Sequence, residues 1–185
     1  MTNCAHRFEL ETISVTDVRG SPVSTAGFSG ESVRGSLADI LESSILCSMA
    51  TVTPEGAPHI NTANFSWTDA LDVIFMSHPS ALHCRNLLGN PSMAMTVFST
   101  DQPWTGPGRG VQLFGAAGVT SGADAEEAAR SYSARFAQYD GWKTGLAEDD
   151  PAQGFRFYRF RVARVKILDE VALGDAWVSV AITRS

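Results

Sequence analysis

The sequence predicts a mainly β chain with α: six or seven mostly antiparallel strands, closed or partly closed into a barrel, with two or three helices. Three observations carry this. The apolar runs are short, as in Val73 to Met76, Met93 to Phe98 and Val111 to Phe114. Turn residues separate them at short intervals, which favours antiparallel pairing of neighbours. Two or three stretches switch to helical spacing. Closing such a sheet buries one face and hides its edges.

The elements read in order as follows. Gly20, Ser21, Pro22, Ser24, Thr25, Gly27, Ser29, Gly30, Ser32 and Gly35 dominate one early run. That composition buries little, so residues 1–35 are expected to form a partly flexible extension that packs on the body or on a partner, with the domain proper at 36–185. A helix is expected from Ser36 to Ser44, with Ser36 as N-cap and Leu37, Ile40 and Leu41 as the apolar stripe. Ile45 to Thr53 and Pro58 to Trp67 form a hairpin across Pro54-Glu55-Gly56. Val73 to Ser77 is the third strand. Pro79 to Leu88 reads as a helix, with Pro79 in its first turn and Gly89-Asn90-Pro91 as its stop. Met93 to Ser99 follows. After a loop come Val111 to Thr120, where Gly115 and Gly118 suggest bends or bulges, and an amphipathic helix from Ala123 to Phe136. Phe155 to Asp169 alternates imperfectly, as a long strand does, and a last strand runs from Trp177 to Ile182.

Composition limits the function classes. The chain has 185 residues, 44% of them hydrophobic and 18% charged, an ordinary globular balance. A net charge of −6 repels a phosphate backbone, so nucleic acid is not an expected partner. No stretch approaches the roughly 18 consecutive apolar residues of a membrane helix, and residues 1–20 lack the apolar segment of a secretion signal. Three cysteines, Cys4, Cys47 and Cys84, form neither a disulfide framework nor a zinc knuckle, which suits a reducing cytoplasm. His59, His78 and His83 lack metal-site spacing, so no metal is expected. Arg156, Arg159, Arg161 and Arg164 are expected on a solvated strand face or an interface. Arg109 is either a contact for an anionic substrate or a solvated loop charge.

The informative block is Ala50 to Ala117. Ser77 ends a strand that feeds a helix, which aims free backbone N–H groups at one point. Ser80 adds a hydroxyl there and His83 an imidazole, enough to take a phosphate; the alternative is a plain cap and an exposed helix residue. Gly56-Ala57-Pro58, Asn61-Thr62-Ala63-Asn64, Phe75-Met76-Ser77 and Leu87-Leu88-Gly89-Asn90-Pro91 follow one another in an order that resembles the pyridoxamine 5′-phosphate oxidase-like FMN-binding split-barrel superfamily. The resemblance covers residues 36 to 169. It implies a six- to seven-stranded antiparallel split β-barrel with two or three flanking helices. It also implies an FMN-dependent oxidoreductase that works as a homodimer with cofactor sites at the subunit interface. A deazaflavin or haem are alternative cofactors, and a non-catalytic carrier is an alternative role. The phosphate is expected near Ser77, Ser80 and His83. The ring is expected along Asn61, Thr62, Ala63, Asn64 and Met76, with Trp104 or Gln112 from the second chain.

The chain also departs from the family's pattern. Asn61, Leu82 and His83 stand where members carry arginine, arginine and lysine. Gly110 stands where members carry glutamine, and Gln112, two residues on, faces the same side. With no His after His83, the chain lacks the family's motif for pyridoxal phosphate, so pyridoxamine phosphate is not the inferred substrate. No catalytic acid or base is identified.

Overall fold

In chain order the elements are β1 (Phe8–Thr16), α1 (Gly30–Glu42), β2 (Leu46–Val52), β3 (Pro58–Trp67), β4 (Asp72–Ser77), α2 (Leu82–Gly89), β5 (Ser92–Val97), β6 (Arg109–Val119), α3 (Gly122–Arg135), α4 (Tyr139–Thr144), β7 (Arg156–Asp169) and β8 (Gly174–Arg184). They are those of the computed structural model, which describes residues 8–184. The sheet runs β1-β8-β7-β4-β3-β2-β5-β6, and a further β6–β7 pairing closes it. Six strands, β2 to β7, therefore form a closed antiparallel barrel. The barrel is the six-stranded one the sequence predicts, and β8 and β1 extend the sheet beyond it, so the described residues hold eight strands in all. No helix among them is long and apolar enough to cross a membrane.

The barrel interior follows from strand alternation. Cys47 and Met49, Val73 and Phe75, Met93, Met95 and Val97, and Val111 and Leu113 all point inward and are buried. Burial pushes the Cys47 thiol up to about 12, so it behaves as an apolar group. The imperfect alternation of β7 has a local cause. The β6–β7 register shifts between Phe114 and Gly115: Phe114 faces Arg164 while Gly115 faces Val162, which leaves Ala163 extra. Val162 and Val165 can then both be buried. Gly115 makes the bulge possible, because a Cβ there would lie 2.0 Å from the Arg161 carbonyl oxygen. The β2–β3 turn needs Gly56 for a different reason, its φ of +84°.

Three expectations about boundaries are corrected. The first helix starts at Gly30, not Ser36, and Ser29 is its N-cap, accepting from the Ser32 N–H at 3.1 Å. Burial of Val33, Leu37, Ile40 and Leu41 overrides the poor propensity of Gly30 and Gly35. Ser36 lies inside the helix and donates to Asp169 at 2.7 Å. The break at residue 35 therefore falls within a helix. Within the described residues, 8–16 form an edge strand on β8, with Phe8 and Val15 buried. The helix expected at Pro79 starts at Leu82. Both the hydroxyl and the N–H of Ser80 bond His78 Nδ1, at 2.6 and 3.2 Å, and this local turn competes with the helix.

α3 and α4 cover the outer side of β4 and β7. Ile74, Ala128 and Tyr132 are buried there, with Met76, Phe136, Tyr139 and Phe157 around them. Arg159 fastens this layer. It is buried, with Nη1 2.9 Å from Asp72 and Nη2 2.6 Å from Glu127. It is therefore not on the solvated face expected for it, because β4 and α3 bring carboxylates to it. Arg109 is likewise not a free loop charge. Its guanidinium forks onto the fully buried Asp169 at 2.8 and 2.9 Å.

Candidate functional site

α2 lies across one end of the barrel, against β2, β3 and β6. Its inward face carries His83, Cys84, Asn86 and Leu87, all buried. Asn86 Nδ2 donates to Thr51 at 3.0 Å, and its Oδ1 has no partner. The imidazole of His83 is tightly placed. Its Nε2 lies 2.8 Å from the Ser77 hydroxyl, and its ring lies parallel to that of His59 at 6.4 Å. Burial, and then the neighbouring His59, pull its pKa below the ordinary histidine value. His83 is therefore a neutral donor or acceptor at pH 7, not a cation. Ala81 precedes the helix in extended conformation and offers no side-chain cap, so the first-turn N–H groups have no acceptor from that side.

The outer face of the barrel is organised differently. Register places outward side chains in rows across the strands. One row is polar: Thr62 faces Ser48, Ser48 faces Thr96, Thr96 faces Gln112, Gln112 faces Lys166 and Lys166 faces Ser179. The next row towards α2 is Ile60, Ala50, Ala94, Phe114 and Arg164. On the other side of the polar row Gly110 faces Leu168, which faces Trp177. A cavity of about 270 Å³ lies over Ser48, Ala50, Ile60 and Ala94. A second of about 340 Å³ lies over Phe98, Gly110, Leu168 and Trp177. Both are walled by Thr96 and Gln112.

The expected site residues divide among these places. Ser77 and His83 meet, and Ser80 stands just before α2, bonded to His78. Asn61 and Ala63 are half-buried on the inward side of β3, while Thr62 and Asn64 are exposed on its outer side. Gln112 lines both outer cavities. Met76 is on the other face of β4 from Ser77, packed under α3, because successive strand residues alternate. Trp104 is 98% exposed in the β5–β6 loop. Cys4 lies outside the described residues. Ser48, Thr96, Lys166 and Trp177 were not singled out by sequence reading. Only strand register, which sets rows across the sheet, reveals them.

The family is settled by a match to the pyridoxamine 5′-phosphate oxidase model over residues 34–169, well over half of the chain. The chain belongs to the pyridoxamine 5′-phosphate oxidase family. Solved structures agree on the fold. The chain is similar to a haem-binding protein from Mycobacterium smegmatis at 20% identity and a TM-score of 0.63, over 79% of this chain and 56% of that one. It therefore spans little more than half the length of that relative. It is similar to HutZ, the haem storage protein of Vibrio cholerae, at 16% identity and a TM-score of 0.60, over 76% of this chain and 96% of that one. A pyridoxamine 5′-phosphate oxidase homologue from Listeria innocua shares 17% identity with a TM-score of 0.56, over 74% and 98%. No curated protein matches. Solved structures of this fold thus include haem-binding proteins as well as an oxidase homologue, so the fold leaves the cofactor open.

Proposed function

We propose that this chain is an FMN-binding redox protein that works as a homodimer in a reducing compartment. The observation that carries the reading is the uncapped start of α2 with the Ser77 and Ser80 hydroxyls beside it. With hydrogen on His83 Nε2, the imidazole donates to Ser77 and frees that hydroxyl to donate to an anion. The donor set is neutral: hydroxyls, backbone N–H groups and an uncharged imidazole. It fits a phosphate tail held by hydrogen bonds, each weaker than the charge-assisted bonds of an arginine or lysine. Affinity for FMN is therefore modest. When bound, a flavin supplies hydride exchange at its ring; this chain supplies orientation and exclusion of water.

The dimer is supported by the outer face. Leu46, Val52, Ile60 and Phe98 are exposed large apolar residues on or beside it. A two-fold axis across that face would set polar row against polar row and apolar row against apolar row.

The test is the absorbance of the purified full chain, before and after incubation with FMN. A flavin band near ~450 nm that stays through gel filtration supports the reading. A Soret band makes the chain a haem protein instead, and no bound chromophore after reconstitution overturns it. Consumption of reduced nicotinamide by the loaded protein separates an enzyme from a carrier. Sedimentation of the loaded protein as a monomer rejects the shared site.

A further inference from the structure

The β5–β6 loop presents one large apolar side chain to water from a rigid mount. Trp104 is 98% exposed. It sits in a tight turn closed by the Gly106 N–H on the Pro103 carbonyl at 2.9 Å, where a Cβ on Gly106 would meet the Pro103 ring at 2.6 Å. The base of the loop is tied across itself. Gln102 accepts from the Arg109 N–H and donates to the Ser99 and Arg109 carbonyls at 2.7 and 2.9 Å. The far end is tied to the β7–β8 turn: the Gly108 N–H donates to the Glu170 carboxylate, and the Glu170 N–H donates to the Gly108 carbonyl. The exposure of Trp104 is therefore not that of a loose chain, and covering it would order little that is not already held.

The surface beside the loop is apolar and uncharged. A cavity of about 340 Å³ at the start of the loop is lined by Ile45, Leu46 and Phe98, all exposed. Ile60, 71% exposed, stands beyond Ser48, which lines both this cavity and the neighbouring one. At about 200 Å² for each large side chain when fully exposed, Trp104 and these four leave roughly 600 Å² of apolar surface in water. That is at the upper end for a monomer and most of the ~800 Å² that each partner buries in a stable dimer. Charge points the same way. Strand segments 46–52, 60–64, 92–98 and 110–114, which build this face, hold no Asp, Glu, Lys or Arg in a chain with 18% charged residues. Two copies of net charge −6 meet there with the least repulsion.

We propose that Trp104 is the anchor by which one copy of this chain grips a second. The loop of each copy lays its indole on the uncharged outer face of the other, among the exposed apolar side chains there. A two-fold contact uses the same patch twice, so one loop and one face on each copy account for both halves. Trp104 then makes a protein contact, not the flavin-ring contact that the family resemblance implies. The inference rests on the outer-face dimer proposed above and is independent of the cofactor.

Sedimentation equilibrium of the full chain, as purified, tests this. The parent is expected to be a dimer at micromolar concentration. Trp104→Ser should raise its dissociation constant at least tenfold, and Trp104→Phe should raise it less. Ile60→Glu, which puts a charge on the outer face at an exposed position, should loosen the dimer as well. Circular dichroism confirms that each variant is folded. A monomeric parent, or a dimer that either Trp104→Ser or Ile60→Glu leaves unchanged, overturns the proposal. So does a Trp104→Ser dimer of parental strength that has lost flavin, which makes Trp104 a ring contact. A dimer that loosens in Trp104→Ser but never retains FMN supports the anchor and refutes only the flavin reading. A flavin-loaded dimer indifferent to the substitution refutes only the anchor.

Discussion

Arg159 and Lys166 stand seven residues apart on β7, and their charges meet opposite environments. Arg159 is buried between Asp72 and Glu127 and ties α3 to the barrel. Lys166 lies on an aromatic ring at the outer face, and among the described residues it has no carboxylate within 4.0 Å. The bulge between them belongs to the same contrast. Without the extra residue Ala163, Lys166 would share its face of the strand with different neighbours. A cation that is enclosed and paired holds the fold together. A cation that is held but unpaired is available to something else.

Breaking the enclosed pair should produce the largest effect. Arg159→Leu leaves the Asp72 carboxylate, 7% exposed, without its cation. The expected loss is about 3–5 kcal/mol of stability, read as a fall in denaturant midpoint. Replacing Asp72 by leucine as well should recover much of it, since the uncompensated charge is then gone. A single variant as stable as the parent would remove Arg159 from the structural side of the comparison.

The next effect tests neutrality at the α2 end. Burial and His59 lower the pKa of His83 in the folded state, so the unfolded chain binds more protons as pH falls below about 6.5. The stability His83 contributes is therefore complete above its unfolded pKa. It is lost progressively as pH falls from there towards the folded value. The slope for one proton is at most about 1.4 kcal/mol per pH unit. His83→Gln should flatten the dependence of Tm on pH below about 6.5. An unchanged slope would assign it to another group.

A smaller loss is expected at Asp169. Burial alone would raise its pKa, but hydrogen bonds from Arg109 and Ser36 bring it below the usual carboxylate range. Ser36→Ala removes one donor while Arg109 and two backbone N–H groups remain. The cost should be about 1 kcal/mol, seen as a small drop in denaturant midpoint; a loss as large as that of Arg159→Leu would contradict this shared arrangement.

The same contrast explains what the sequence revealed. Strands β2 to β7 were legible because their inward residues alternate or run as short apolar blocks between turns. β1 was not legible, because Glu9, Glu11, Thr12 and Ser14 give it an exposed polar face beside a Gly- and Ser-rich run. Ser36 has the residue type of a cap, but the apolar stripe through Val33 carries the helix one turn further back. At the site, Ser77 and His83 were found from their spacing. The neutrality of His83 was not, because it depends on burial under α2 and on His59, which comes from another strand. Lys166 and Gln112 are 54 positions apart in sequence and become neighbours only through β6–β7 register. Sequence alone does not separate the arginines of β7, whereas carboxylates from β4 and α3 enclose Arg159 and leave Arg164 on the surface.

The smallest expected effect sharpens the comparison most. Arg164→Gln and Lys166→Gln should each change stability by less than about 1 kcal/mol, the scale of an exposed cation–aromatic contact. The reason is geometric: Arg164 lies 4.0 Å over Phe114 and Lys166 4.4 Å over Trp177, so each variant loses one stacking contact and strands no buried charge. Chemical denaturation of both single variants and the double variant measures this directly. Near-parental stability in both would show that β7 uses its cations to hold the fold on one side of its bulge and not on the other. A loss of several kcal/mol in either single variant would mean that the outer cations are structural too, and the distinction between the two regions would fail.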